Sequence, residues 1–155
     1  METLKEHLTG KLEFAKKSYA GDLRALDEKQ LTSSSGGSSR TPADFTYEVV
    51  TINKRISKRI RGEDPGELKF DGWVEAPAEF QNKDTIVAQL EESMAEIIEA
   101  FANVPEDEMF RKIETPNGET SPMDLAGFAV DHMTYHDAQL NYIQTLNGDE
   151  EMHWN

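Results

Sequence analysis

Four stretches of the chain carry apolar residues three and four positions apart, which is the spacing of one helix face. No stretch shows the sustained alternation of apolar and polar residues that marks a half-buried strand. The four apolar stripes begin at Leu4, Phe45, Ile86 and Leu125. The last stripe comprises Leu125, Phe128, Ala129, His132, His136, Leu140 and Ile143. The pattern therefore predicts an all-α chain of four amphipathic helices.

Residues typical of helix ends flank the stripes. Thr41, Asn82 and Ser121 stand at three predicted starts, where a side-chain oxygen can bond the free N–H groups of the first turn. Gly62 and Gly148 stand at two predicted stops, since glycine readily adopts the left-handed conformation that closes many helices. These boundaries give the second helix and the last helix about twenty residues or more.

Three segments between the stripes predict irregular structure. Residues 32–40 are almost all serine and glycine, residues 63–82 contain several proline and glycine turn signals, and Thr115 to Gly118 reads as a turn. A crossover as long as 63–82 is expected to be anchored by its own side chains. The anchors we predict are Phe70, Trp73 and Phe80.

Four amphipathic helices with long connections bury their stripes most simply as an antiparallel four-helix bundle with long crossover loops. We predict a single domain over residues 1–148. Residues 149–155 are expected to form a loosely ordered C-terminal tail, in which Trp154 is able to fold back on the helices.

Composition narrows the class of protein. The 155 residues include no cysteine, which excludes disulfides, cysteine-based zinc sites and thiol nucleophiles. No run approaches the ~18 apolar residues that span a bilayer, and the charged N-terminus lacks the apolar block of a secretory signal. We therefore expect a cytoplasmic protein with no membrane partner. The net charge of -14 repels phosphate backbones, so we expect no nucleic-acid partner either.

One basic cluster stands out against this acidic background. It comprises Lys54, Arg55, Lys58, Arg59 and Arg61. The cluster forms either a solvated helix face that pairs with acidic neighbours or an anion-binding rim near a substrate pocket, and we favour the first interpretation.

His132 and His136 are the strongest functional signal in the sequence. Their i, i+4 spacing places both imidazoles on one helix face, where two nitrogens can reach one cation at ~2 Å each. They also interrupt the apolar stripe between Ala129 and Leu140. Two buried imidazoles must each find a polar partner, and one shared metal ion satisfies both. The alternative is one hydrogen-bonded core histidine beside a partly exposed one.

Glu48 is the predicted third ligand. It lies between Phe45 and Ile52 on the core side of the second helix, where a carboxylate is unfavourable unless it is paired or binds a cation. With the two histidines it makes a two-histidine, one-carboxylate set that leaves positions open for water or substrate. Glu48 pairing with an arginine or a lysine remains open. His7 is a weaker alternative ligand, and His153 is expected to be solvated.

Two further residues are candidates to orient the ligands by hydrogen bonding. Asp44 lies one turn before Glu48, and Gln139 lies on the face of His132. Three tyrosines are candidates for the mouth of a pocket: Tyr47, Tyr135 and Tyr142. No catalytic general base is assigned, because Asp131 and Tyr135 are expected to face away from the histidines on a regular helix.

The stretch from Thr115 to Gly148, with H-x-x-x-H followed by a glutamine, resembles the last helix of DinB-like (YfiT-like) metalloproteins. Residues 41–62 resemble the second helix of that superfamily, and the order of helices agrees along essentially the whole chain. The resemblance implies a four-helix bundle, often dimeric, that holds a divalent metal through three histidines. Here Glu48 stands where the first of those histidines would fall, which favours harder ions.

By this resemblance we expect a divalent-metal-dependent enzyme, a thiol-dependent transferase or a hydrolase, that binds zinc, nickel, iron or manganese. Its partners would be a small-molecule substrate or a low-molecular-weight thiol, and it would form a homodimer. The ion would lower the pKa of a thiol or a water molecule near neutral pH. The alternative is a non-catalytic stress-related or binding protein in which the metal is structural or absent.

Overall fold

Most of the chain is helical in the computed structural model, which describes residues 2–70 and 73–154. In chain order the elements are α1 (Leu4–Ala25), α2 (Glu28–Thr32), α3 (Pro42–Arg61), α4 (Lys83–Ala102), β1 (Ile113–Thr115), β2 (Gly118–Thr120) and α5 (Pro122–Leu146). Single 3-10 turns lie at Ala78–Phe80 and Glu106–Glu108. Within these described ranges, no helix combines the length and the apolarity needed to cross a bilayer.

The four long helices each begin at a residue whose side-chain oxygen accepts a hydrogen bond from an N–H of the first turn. These residues are Thr3, Thr41, Asn82 and Ser121. The bond satisfies one of the N–H groups that a helix start leaves free. Helix α3 ends at Arg61 and is capped by Gly62, whose φ of 78° is a left-handed conformation that disfavours a side chain. The predicted starts at Thr41, Asn82 and Ser121 are confirmed.

The apolar stripes of the long helices meet in a common core. Helices α1 and α3 each pack against both α4 and α5. The largest side chains buried between the four helices are Leu12, Tyr19, Leu23, Ile60, Ile86, Leu90, Met94, Ile97 and Phe101. Each fully buried leucine or isoleucine contributes about 1.5–3 kcal/mol relative to an exposed one, so this contact between helices is the main source of stability.

Two residues of the predicted stripes lie outside the core. Leu4, in the first turn of α1, is 66% exposed, because the buried face of that helix begins at Leu12. Phe128 is 52% exposed, although we predict it on the core face of α5. The fully buried line of α5 passes through Ala126 and Ala129, and successive residues are rotated by about 100° around a helix. Phe128 therefore lies at the edge of the buried face.

Two short elements escape the predicted pattern. Helix α2 precedes the serine-rich segment; it begins at the capping residue Asp27 and buries Leu31 completely. Strands β1 and β2 pair in an antiparallel hairpin around the turn that we predict at residues 115–118, with Thr115 opposite Gly118. Three-residue strands and a five-residue helix are too short to show a period in the sequence.

The crossover between α3 and α4 is anchored differently from our prediction. Phe80 is buried at 1% exposure, as expected, and Phe70 is half-buried. Trp73 is 73% exposed, which corrects its predicted role as an anchor in the core. The backbone N–H of Ala76 instead donates to Oδ1 of Asp44 at 2.8 Å, so that a polar contact ties the crossover to the start of α3.

A group of side chains between α1 and α5 surrounds two buried residues, Asp22 and Asp137, and we name it the carboxylate cluster. Asp22 is its centre, with 1% exposure. The Asp22 carboxylate accepts hydrogen bonds from the amides of Asn141 and Gln144 and, at 2.8 Å, from the indole N–H of Trp154. Burial and the neighbouring Asp22 raise the pKa of Asp137 to about 8. Asp137 is therefore protonated at neutral pH.

The C-terminal tail packs against α1. Trp154 folds back on the helices, as the sequence allows, and this corrects the expectation of a loosely ordered end. Besides its bond to Asp22, Trp154 packs edge to face with Phe14 at 6.1 Å. Gly21 admits the tail, because a Cβ there would lie 2.0 Å from the carbonyl oxygen of His153. Met1, the first residue of the predicted domain, and Asn155, the last residue of the predicted tail, lie outside the described residues.

Candidate metal centre

Three side chains with metal-binding atoms converge between α3 and α5, and we name them the histidine cluster. Glu48 comes from α3, and His132 and His136 come from α5. One oxygen or nitrogen from each residue lies within 4.8 Å of the corresponding atoms of the other two. His136 is 1% exposed, whereas Glu48 and His132 are half-buried. The structure thus brings together the three residues predicted as ligands.

Neighbouring rings hold the two imidazoles in place. The ring centroids of His132 and His136 are 4.9 Å apart, because the residues lie one turn apart on α5. Phe128 stacks on His132 at 5.5 Å, and Phe45 stacks on His136 at 5.2 Å. One stacked phenyl ring on each imidazole restricts its rotation, so the nitrogens stay directed towards the cluster. At the edge of the buried face of α5, Phe128 therefore serves to orient His132.

Tyr135 contacts the cluster, contrary to the expectation that it faces away from both histidines. Its ring lies edge-on to that of His136 at 4.9 Å, while the residue as a whole is 62% exposed. The helix direction of Tyr135 differs from that of His136 by about 100°, but a tyrosine is long enough to reach back around the helix. Asp131 is exposed.

The protonation states suit metal binding. Burial lowers the pKa of His136 to about 4 and holds the pKa of His132 below its ordinary value, because an imidazolium is poorly solvated there. For Glu48, burial raises the pKa, but the hydrogen bond and the charge of Arg40 outweigh burial and lower it. At neutral pH the cluster therefore holds two neutral imidazoles and one carboxylate, the forms in which these groups bind a metal.

Arg40 forms an ion pair with Glu48. Its Nη1 donates to Oε2 of Glu48, while Oε1 of the same carboxylate lies 3.4 Å from Nε2 of His132. The two alternatives left open for Glu48, a metal ligand or a partner of an arginine, are therefore compatible. One carboxylate oxygen faces the histidines and the other faces the guanidinium.

Gln139 contacts the cluster as predicted, and Asp44 does not. Oε1 of Gln139 lies 2.7 Å from Nδ1 of His136 and accepts its hydrogen, which leaves the lone pair of His136 on Nε2. The Asp44 carboxylate accepts instead from the backbone N–H groups of Thr41 and Ala76. Its position in the first turn of α3 directs it to the helix cap, which corrects the expectation that it orients a ligand.

The residues present fit a divalent ion. Among the described residues, Nδ1 of His132 is buried with no hydrogen-bond partner, an arrangement that costs about 1–3 kcal/mol when nothing compensates it. Two imidazoles and one carboxylate form a donor set that holds zinc, iron or manganese in proteins. Three protein ligands also leave at least one coordination position for another molecule.

A pocket of about 500 Å³ adjoins the histidine cluster, and we name it the aromatic pocket. Its lining residues are Ser35, Ser38, Ser39, Arg40, Phe45, Trp73, Tyr135, Ala138, Gln139, Tyr142 and Ile143. Tyr135 and Tyr142 thus line a pocket, as predicted. Tyr47 packs edge-on against Phe80 at 5.1 Å and lines a different groove.

The remaining histidines lie apart from the three ligand candidates. His7 is exposed and pairs with Glu2 at 3.6 Å. His153 is half-buried in the tail and lies 2.8 Å from Oδ2 of Asp149, which corrects the expectation that it is solvated. The weaker alternative of His7 as a ligand is therefore not supported by its position.

The basic cluster of α3 forms a helix face that pairs with acidic and carbonyl oxygens. Lys54 lies 3.3 Å from Glu92, and Arg61 lies 3.1 Å from Glu63. Arg55 donates to the carbonyl oxygen of Pro65 at 3.0 Å. These contacts favour the solvated face over the anion-binding rim.

No pattern in the sequence indicates a role for Arg40, and Trp73, predicted as an anchor in the core, contacts Arg40 instead. The Arg40 guanidinium lies 4.7 Å from the centre of the Trp73 ring, a cation–π contact. Both residues come from irregular segments, where no periodicity indicates which side chains face inward. The available signal is positional: Arg40 directly precedes the cap of α3 and lies two turns before Glu48.

The fold and the site define a mostly helical protein with a histidine and glutamate cluster that can hold a metal ion. The chain belongs to the DinB superfamily, whose family model matches residues 11–140. It is similar to the crystal structure of a conserved protein from Enterococcus faecalis, with a TM-score of 0.74 and 12% identity over 94% of this chain and 98% of that chain. That likeness shows a shared fold. No curated protein matches the chain.

Proposed function

We propose that this protein is a divalent-metal-dependent enzyme that activates a thiol or a water molecule at the histidine cluster. The observation that carries the proposal is the convergence of Glu48, His132 and His136, whose candidate ligand atoms lie within 4.8 Å of one another. Membership of the DinB superfamily supports it. The small-molecule substrate or low-molecular-weight thiol expected from the sequence would bind beside this cluster.

Each residue has a distinct role in this proposal. Glu48, His132 and His136 would hold zinc, nickel, iron or manganese. Gln139 would fix the tautomer of His136 through the 2.7 Å contact at Nδ1. When bound, the ion would lower the pKa of a thiol or water to near neutrality. Phe45 and Phe128 would keep the imidazoles oriented, which lowers the entropy lost on binding.

A metal-binding measurement tests this proposal. Purified protein stripped with a chelator is dialysed against zinc, nickel, manganese or iron(II), and bound metal is counted by elemental analysis. We expect near-stoichiometric binding of at least one ion and a loss of more than about a hundredfold in affinity for His136→Ala. His7→Ala removes an exposed histidine outside the cluster and serves as the matched control. Failure of the wild type to bind any of the four ions would overturn the proposal.

Glu48 is tested separately from the two histidines. We expect Glu48→Gln to weaken binding clearly, because an amide oxygen lacks the negative charge that attracts the ion. A Glu48→Gln protein that binds metal as tightly as the wild type would remove Glu48 from the ligand set, and it would leave the two histidines as the centre.

A second candidate function is favoured by the Arg40–Glu48 ion pair. Arg40 already balances the charge of Glu48, so a metal ion is not needed for that purpose. The ion pair therefore also suits a non-catalytic binding protein whose metal is structural or absent. Cobalt(II) distinguishes the two functions. In an open enzyme site, added cysteine should ligate the cobalt and change its absorption spectrum. In a closed structural site the spectrum should stay the same.

The antiparallel four-helix bundle and the homodimer predicted from the sequence belong to the same proposal. Contacts of α1 and α3 with both α4 and α5 support the bundle. Sedimentation of the purified protein would test the dimer, with a single monomeric species as the contrary result.

A further inference from the structure

Among the described residues that line the aromatic pocket, Arg40 is the one that carries a formal charge. Four aromatic residues share that lining with Arg40: Phe45, Trp73, Tyr135 and Tyr142. A small-molecule site of this kind has mostly apolar walls, which supply affinity, and a few polar groups, which set orientation. The lining therefore favours a ligand with a flat apolar body and one negative charge.

The Arg40 side chain has hydrogen-bonding capacity left for such a ligand. Within the described part of the chain, its hydrogen bonds run from Nη1 to Glu48 alone. A guanidinium carries five N–H donors in a planar fork that matches the two oxygens of a carboxylate. The contact with Trp73 at 4.7 Å restrains the plane of that fork. The side chain is only 12% exposed, so water screens its charge poorly.

The wall that holds Arg40 also contacts the histidine cluster. Arg40 bonds Glu48, while Phe45 stacks on His136 and Gln139 lies at its Nδ1. A ligand anchored on Arg40 would therefore lie beside the cluster and not at a remote surface.

We propose that the aromatic pocket binds a small carboxylate with an aromatic or similarly flat apolar body, anchored through its carboxylate by Arg40. This inference rests on the proposed function, since it names the class of substrate for that site. The net charge of -14 opposes the approach of any anion, so recognition would depend on this local cation. A neutral molecule of the same shape would lack that anchor.

Calorimetric titration of metal-free protein with three probes tests the inference. The probes are 2-naphthoate, its neutral analogue 2-naphthamide, and acetate, which carries the charge without the apolar body. We expect 2-naphthoate to bind at least tenfold more tightly than either of the others. Equal affinity for 2-naphthoate and 2-naphthamide would overturn the role of the charge, and equal affinity for acetate would overturn the role of the rings.

Matched variants locate the site. Arg40→Met should reduce 2-naphthoate affinity at least tenfold and leave 2-naphthamide affinity within about twofold. Tyr142→Ala, an exposed ring of the lining, should weaken both naphthalene probes. Lys54→Met, which removes a surface cation outside the pocket, should change neither. Arg40→Lys, which keeps the charge, should retain part of the 2-naphthoate affinity if Arg40→Met fails to fold.

The two proposals fail in different measurements. Wild-type protein that binds metal but shows no preference for 2-naphthoate would overturn the substrate class and leave the metal function standing. Protein that prefers 2-naphthoate but binds none of the four metals would overturn the metal function. In that case the aromatic pocket would remain a binding site for carboxylates.

Discussion

The histidine cluster and the carboxylate cluster are both buried against α5, and they differ in how their polar atoms are matched. In the carboxylate cluster, the acceptors of Asp22 meet two amides and an indole N–H, and Asp137 keeps a proton. In the histidine cluster, a carboxylate and two neutral imidazoles converge, and Arg40 reaches only one oxygen. Each cluster keeps one buried atom without a partner among the described residues, Oδ1 of Asp137 and Nδ1 of His132. The oxygens of Asp22, however, are met by donors, whereas Glu48 and the two histidines bring metal-binding atoms within 4.8 Å of one another.

This difference separates a structural polar cluster from a candidate site. Burial alone does not distinguish them, since Asp22 and His136 are each 1% exposed. What distinguishes them is the arrangement of their polar atoms. Donors that meet the oxygens of a buried carboxylate such as Asp22 stabilise the fold, whereas a carboxylate and two neutral imidazoles that converge favour a cation. We therefore expect substitutions in the carboxylate cluster to change stability, and substitutions in the histidine cluster to change metal affinity.

The largest expected effect is on stability, from Asp22→Ala. This substitution removes the carboxylate that accepts from Asn141, Gln144 and Trp154. The two amides keep a backbone acceptor each, and Trp154 keeps none among the described residues. Because hydrogen bonds to a charged group are the stronger ones, unfolding should become easier by about 3 kcal/mol. Urea unfolding of metal-free protein measures it. Asp131→Ala, which changes an exposed aspartate on α5, should stay within about 0.5 kcal/mol of the wild type. A similar small change for Asp22→Ala would contradict the structural role of the carboxylate cluster.

The next effect is on metal affinity, from His132→Phe. A phenyl ring preserves the stacking on Phe128 and lacks the nitrogen ligand, so affinity should fall by about a hundredfold or more. Metal-free stability should change by less than about 1 kcal/mol, because the buried Nδ1 without a partner is removed as well. A loss of stability as large as that of Asp22→Ala would erase the distinction between the two clusters.

A smaller change in affinity is expected from Gln139→Leu. Leucine preserves bulk but cannot accept the Nδ1 hydrogen of His136, so metal affinity should fall by about tenfold. Competition against a chelator of known affinity provides the measurement. Gln89→Leu, on α4 outside the cluster, is the matched control. Unchanged affinity for Gln139→Leu would mean that the stacked Phe45 orients His136 without help.

The smallest effect concerns pH and belongs to the carboxylate cluster. The pKa of Asp137 is raised to about 8 in the folded protein, against 3.8 for a free carboxyl. The folded state therefore retains a proton that the unfolded chain has released, and stability should fall as pH rises between those values, by about 1 kcal/mol from pH 6 to pH 7. Urea unfolding of metal-free protein at the two pH values checks this.

Asp137→Asn is the control for the pH effect, because its amide donates to Asp22 at any pH. The decline between pH 6 and pH 7 should largely disappear in this variant. A decline of the same size in Asp137→Asn and the wild type would assign the titration to another group.

Much of the fold and the three candidate ligands follow from local pattern. Caps such as Thr41 and Ser121 mark helix starts within a residue, and the periods of α3 and α5 place Glu48, His132 and His136 on inward faces. Those features depend on neighbours a few positions away, which a sequence displays directly.

The rest depends on contacts between distant segments. Arg40 reaches Glu48 from a serine-rich loop with no period, and Asp22 meets Trp154 across most of the chain. From the sequence alone, a charged residue such as Asp22 is expected at the surface, because the partners that allow its burial lie far along the chain. Trp73 is the opposite case: we expect it to be buried because it is aromatic, but it is exposed, since a loop position does not determine which side chains face the core.

His136 and Asp137 are consecutive, yet they belong to different clusters, so any rotation of α5 about its axis that moved one would displace the other. Asp22 and its partners on the α1 side of α5 thereby help to fix the rotation of α5 about its axis. The histidines would meet an arriving ion with their directions already set, and the ordering entropy would have been lost during folding rather than during binding.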